Sequence, residues 1–128
     1  MRQKAIMSYN ETMCLIRNKS YNGAASRAYY ALYQAIVAQF NEQGLDPKNF
    51  SSRGRESIGE WPHETIRNNS TLAGVDRRDV SIIKAAWELR RKADYKTDLV
   101  TWSEMEYVAS GLARILKSVN VTVLEIKL

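Results

Sequence analysis

Ala24-Ala25-Ser26-Arg27-Ala28-Tyr29-Tyr30-Ala31-Leu32-Tyr33-Gln34-Ala35-Ile36-Val37-Ala38 decides the fold of this chain. Ala24, Ala28, Ala31, Ala35 and Ala38 recur at spacings of four, three, four and three. That pattern lays small side chains along one stripe of an α-helix. Tyr29, Leu32, Tyr33, Ile36 and Phe40 lie beside the stripe and supply bulk. A small-residue seam between large side chains lets a neighbouring helix approach closely. The helix is expected over residues 22–43, with Gly44 as a left-handed cap and Pro47 three residues further on.

Outward from this helix the chain stays helical in pattern. Residues 4–18 place Ile6, Met13, Leu15 and Ile16 at roughly helical spacing, and Ser20-Tyr21-Asn22-Gly23 reads as a turn. Residues 46–60 are polar and contain glycine, which predicts a mobile loop. Pro62 can open a short helix at its first position, closed by Asn68-Asn69-Ser70-Thr71. A fourth helix starts near Asp76 as a cap, with Asp79 favouring its positive end, and runs to Tyr95. One of its faces carries Val80, Ile83, Trp87, Arg90 and Asp94, so it begins apolar and turns polar. Thr101 with Glu104 and Ser103 with Glu106 offer two overlapping capping boxes for a fifth helix. That helix carries Val108, Ala109, Leu112, Ile115, Leu116 and Val119. The β-branched run in the 120–128 tail fits either an extended segment or more helix. The expectation is a single all-α domain over residues 1–128.

The chain has 128 residues, enough for one domain with a real core and no staples. Its formal net charge is +5 and its pI about 9.4, a balance that suits an RNA, DNA or nucleotide partner without requiring one. One cysteine, Cys14, excludes an internal disulfide framework. The first ten residues hold no sustained apolar run, and no stretch approaches a membrane span. A cytoplasmic protein without membrane attachment is therefore expected. One His and one Cys do not make a zinc site, so no metal and no cofactor is implied. Neither a GxxxxGK[ST] phosphate loop nor a GxGxxG fingerprint is present.

What remains is a polar constellation. Arg90 and Asp94 stand one turn apart and continue the stripe of Val80, Ile83 and Trp87. A charged pair on a buried stripe is costly unless it is paired and hydrogen-bonded. Its plainest role is an ion pair closing the end of the bundle. Arg27, with Tyr30 three residues on, either pairs with Asp94 or stands as a second cation beside Arg90, facing a phosphate-like anion. Arg53, Arg55, Arg67, Arg77 and Arg78 form a basic patch if the fold gathers them, and a solvated face if it does not. The candidate anion-binding residues are Arg27, Tyr30, Arg53, Arg55, Arg90 and Asp94.

The segment from Ala24 to Ala35 resembles the A-x-x-R-x-Y-Y-A helix of HEPN-domain proteins. Arg90-Arg91-Lys92-Ala93-Asp94-Tyr95 resembles the R-x-x-A-D-Y motif of one prokaryotic branch of that family. His63-Glu64-Thr65-Ile66 is a counterpart of the H-x-x-hydrophobic segment that often follows the long helix there. The resemblance spans residues 21–119 with the motif order kept. It implies an up-and-down bundle of four to five helices, usually a homodimer. It also implies an RNA- or nucleotide-binding role in a prokaryotic toxin–antitoxin or defence module, beside a minimal nucleotidyltransferase.

Many HEPN members are metal-independent endoribonucleases with an R-x(4–6)-H motif, in which Arg binds the scissile phosphate and His acts as acid or base. Here Tyr95 stands five residues after Arg90, where such a member has histidine. A phenol with a pKa of about 10 is a poor base at neutral pH. The catalytic candidates are therefore Arg90 with Tyr95, or Arg90 with a His63 brought near it by the fold. A third reading is a structural helical dimer without a ligand.

Overall fold

The computed structural model describes residues 1–50 and 61–125. Five α-helices make up the regular structure among them, with no strand: α1 Arg2–Arg17, α2 Tyr21–Glu42, α3 His63–Asn68, α4 Val80–Tyr95 and α5 Trp102–Ser118. Short 3₁₀ turns occupy Pro47–Asn49, Ser70–Ala73 and Arg77–Asp79. The bundle expected from the sequence is thus present, and α2 is its centre, packed against α1, α4 and α5. All five alanines of the stripe are buried, as are Tyr29, Leu32, Ile36 and Phe40 beside them. Tyr9 of α1, Ile83 of α4, and Met105, Leu112 and Ile115 of α5 complete a continuous core around it.

Three helices end in the same hydrogen-bond pattern. At the end of α1, Ser20 N–H donates to Leu15 C=O (2.8 Å) and Lys19 N–H to Ile16 C=O (2.9 Å). Leu45 and Gly44 repeat the pattern after α2, and Val121 and Asn120 after α5. It needs a left-handed residue, supplied by Lys19 (φ 58), Gly44 (φ 75) and Asn120 (φ 65). Gly44 was legible in the sequence; the lysine was not, because lysine gains nothing from φ above zero.

Several boundaries differ from the sequence expectation. Pro62 is the cap of α3 rather than its first residue, with extended ψ of 144. Asp76 caps the 3₁₀ turn that leads into α4, its carboxylate accepting from Arg78 N–H. Of the two overlapping capping boxes, the one formed is Thr101 with Glu104. Glu104 also takes both oxygens to Lys92 Nζ at 2.9 and 3.0 Å, which ties α4 to the start of α5. Residues 121–125 are neither helix nor strand. The expected mobile loop begins with the ordered turn at Pro47–Asn49, capped by Asp46; residues 51–60 lie outside the described residues.

Candidate functional site

The site is assembled by three helices. Residues three, four and seven apart fall on one side of a helix. Thus α2 presents Tyr29, Tyr30 and Tyr33; α3 presents His63 and Arg67; α4 presents Trp87, Arg90 and Asp94. The start of α3 is fixed by an aromatic anchor. Trp61 is buried against Phe40 (4.9 Å between ring centroids) and Phe50 (5.4 Å). Its indole N–H donates to Asn41 Oδ1 at 3.0 Å, and its carbonyl accepts from the Tyr33 hydroxyl at 2.5 Å. With Trp61 pinned and Pro62 rigid, His63 is delivered to the flank of α2.

His63 then sits between aromatic planes. Its ring lies 4.6 Å from Tyr33 and 5.4 Å from Trp87, tilted by about a third of a right angle to each. Its Nδ1 is 2.7 Å from the Tyr29 hydroxyl, its one hydrogen bond among the described residues. The Arg67 guanidinium caps the Trp87 indole at 4.1 Å, a close cation–π contact. Arg90 lies against the same indole at 5.3 Å and donates from Nη2 to the Tyr30 hydroxyl at 3.1 Å. The two guanidinium groups and the only histidine of the chain thus share one tryptophan.

The electrostatics follow from that crowding. Burial lowers the His63 pKa below its ordinary 6.5, and the Arg90 and Arg67 charges lower it further. His63 is therefore neutral at pH 7. Burial pushes the Tyr29 phenol well above its ordinary value, further than Arg67 and Arg90 pull it down. Arg90 is 13% exposed in its side chain, and its Nε lies 3.0 Å from Asp94 Oδ2. That contact is an ion pair out of line for a hydrogen bond. Arg90 Nε and Arg67 Nη1 are both buried with no hydrogen-bond partner among the described residues.

The residues singled out in the sequence are placed as follows. Arg90 and Asp94 pair as expected, and Tyr30 joins them. Arg27 pairs with Glu11 of α1 at 3.8 Å rather than with Asp94. It still reaches the Tyr30 ring at 5.1 Å, so Tyr30 has Arg27 on one side and Arg90 at 5.5 Å. Tyr95 is 70% exposed, not on the inner face. Five residues turn about 140° around a helix, so a buried Arg90 sends Tyr95 outward. The Arg90 guanidinium still lies 5.6 Å from the Tyr95 ring centroid. Arg53 and Arg55 lie outside the described residues. The basic patch is not gathered whole: Arg78 is bound to Asp76 ahead of α4, whose first residue, Val80, lies about 15 Å along the helix axis from Arg90.

In the sequence Arg67 is one of many basic residues, and Tyr29, Tyr33 and Trp87 read as core. A signal was present in the i, i+4 spacing of His63 and Arg67, one face of a short helix. Among the described residues no three His, Cys, Asp or Glu gather to hold a metal. No described helix is long and apolar enough to cross a membrane.

No family model matches the chain. Over 98 residues it is 32% identical to "Putative toxin MJ0605" of Methanocaldococcus jannaschii, which covers 73% of this chain and 64% of that protein. The chain therefore matches just under two thirds of its relative's length.

Proposed function

We propose that this chain is a HEPN-like RNA- or nucleotide-binding protein of a prokaryotic toxin–antitoxin or defence module, acting as a homodimer beside a nucleotidyltransferase-type partner. One observation carries the binding role: Arg67 Nη1 is buried with no hydrogen-bond partner among the described residues, and the buried Arg90 Nε has only its out-of-line contact with Asp94 Oδ2. Buried donors are nearly always satisfied, and an unsatisfied one calls for a functional explanation. Two such donors beside a neutral histidine and four aromatic rings suit a phosphate with a base stacked nearby. The R-x-x-A-D-Y and A-x-x-R-x-Y-Y-A resemblances support the family. The printed name of the archaeal relative supports the toxin context.

A second reading is a metal-independent endoribonuclease. It is favoured by the approach of His63 to Arg90 across the Trp87 indole, which supplies a histidine that the R-x4-H spacing lacks. One assay separates the readings. The purified chain is incubated in EDTA with fluorescein-labelled single-stranded RNA, with anisotropy and gel cleavage read in parallel. Binding without cleavage, weakened by Arg90→Gln in a folded variant, is the expected result. Cleavage lost in Arg90→Gln would establish the nuclease instead. Neither binding nor cleavage would leave the cluster a purely structural device.

A further inference from the structure

The role of His63 depends on which ring nitrogen carries the proton. The Tyr29 hydroxyl and His63 Nδ1 are 2.7 Å apart, so one of them donates. The surroundings decide the direction. The titratable and charged groups around the ring are Tyr29, Tyr30 and Tyr33 of α2, Arg67 on its own helix, and Arg90 of α4 with Asp94 behind it. Glu64 is its neighbour in the chain. Guanidinium groups only donate, so neither Arg67 nor Arg90 can take the phenol proton. Among the described residues the Tyr29 hydroxyl faces His63 Nδ1 at 2.7 Å and the Arg67 guanidinium, which can only donate to it, so the ring nitrogen is the acceptor open to the phenol proton. The phenol therefore donates to Nδ1, and in the neutral ring Nε2 carries the hydrogen.

We infer that Tyr29 is a positioning residue that holds His63 as a neutral Nε2–H donor, and that the acceptor of this N–H is the phosphate engaged by Arg67 and Arg90. The inference rests on the proposed binding function and narrows it. A histidine with Nδ1 occupied by a phenol and Nε2 already protonated has no free lone pair with which to act as a base. Nor is a neutral imidazole N–H a useful acid. His63 then reads phosphate in the way an amide N–H does, and the site recognises RNA without acid–base chemistry. The lowered pKa agrees with this arrangement, because it keeps the ring in the neutral form at which the donor is fixed.

The chain has one histidine, so its ring nitrogens are assigned without ambiguity in a ¹⁵N-labelled sample of the full chain. The long-range ¹H–¹⁵N spectrum of the free protein at pH 7.5 is expected to show protonated Nε2 and lone-pair Nδ1. A Tyr29→Phe sample that keeps its helical circular dichroism is expected to show averaging of the two nitrogens. Anisotropy with labelled single-stranded RNA supplies the second arm. Gln places an N–H where Nε2 stands and Asn places one nearer Nδ1. His63→Gln is expected to rescue affinity to within about threefold of the parent, while His63→Asn loses about tenfold or more, the worth of one hydrogen bond to a charged group. A protonated or averaged Nδ1 in the parent would overturn the tautomer. Equal losses in the two variants would overturn the donor role. Absence of RNA binding by the parent would overturn the proposed function and the phosphate acceptor, while the spectrum would still decide the tautomer.

Discussion

Arg67→Met separates a binding cluster from a packing cluster. In the folded chain the Arg67 guanidinium covers the Trp87 ring at 4.1 Å, and its Nη1 is buried with no hydrogen-bond partner among the described residues. Methionine keeps an apolar, flexible stem against the indole and removes the unsatisfied donor. Relief of that donor is worth about 1–3 kcal/mol. The lost cation–π contact costs about 0.5–2 kcal/mol, and a sulfur–aromatic contact returns about 0.3–1.5 kcal/mol. Removing one of two like charges around His63 adds to the favourable side. The balance centres at about 1.5 kcal/mol more stable, within a range from ~0.7 kcal/mol less stable to ~4 kcal/mol more stable, and at its centre raises Tm by a few degrees in a chain of this size. RNA affinity is expected to fall about tenfold or more, since a charge-assisted contact to phosphate disappears. Urea denaturation and RNA anisotropy on the same preparation check both halves. A loss of more than about 2 kcal/mol in stability would refute the reasoning, because it would show that the arginine is held by interactions the folded chain needs.

Other expectations are independent of RNA. The folded-state pKa of His63 lies below its unfolded value, so the unfolded chain binds the extra proton between the two. The contribution is therefore fully present above about pH 6.5 and is lost as pH falls toward the folded pKa; denaturation midpoints should fall over that window in the parent, and His63→Gln should flatten this part of the profile. Thr101→Ala removes the side chain that caps Glu104 N–H and is expected to cost about 0.5–2 kcal/mol by urea denaturation. Lys19→Gly relieves a left-handed lysine at the α1 end, and is expected to stabilise by up to about 1 kcal/mol after the unfolded-chain entropy is set against the relief; a destabilised variant would contradict the strain argument.

The bundle was legible because its central helix carries its packing rule in one-dimensional form. A stripe of alanines at four and three predicts a helix approached closely by neighbours, and α2 is packed on three sides. The Thr101–Glu104 cap and the Arg90–Asp94 pair were legible for the same reason, since each is a contact within one helix turn. The site was less so. His63 reaches Arg90 only because Trp61 docks on Phe40 and Asn41, contacts made across some 20 residues by a segment with no periodicity. Arg67 follows His63 to the site, and its i, i+4 spacing from His63 is the local sign that sets it apart from Arg77 and Arg78. The R-x4-H spacing places no histidine on the helix of Arg90; the alternative offered by the sequence, a His63 brought near by the fold, lies against the same Trp87 indole as Arg90.

The purely structural reading of the cluster meets a difficulty in its own terms. A polar group kept to fix packing should be satisfied by the groups it fixes, as Asp79 is by Arg114 at 2.7 and 3.2 Å where α4 begins. At the other end of that helix, among the described residues, Arg67 Nη1 has no hydrogen-bond partner and Arg90 Nε has only an out-of-line contact with Asp94. Both ends use one arginine–carboxylate pair, and only one end is complete. The incomplete end is also where a neutral histidine is pinned by a phenol and where four aromatic rings converge. Such a cluster carries net positive charge: two guanidinium groups face one carboxylate, and the imidazole adds none. Under the proposed function, a single phosphate would balance that charge and accept from the Arg67 and Arg90 guanidinium groups.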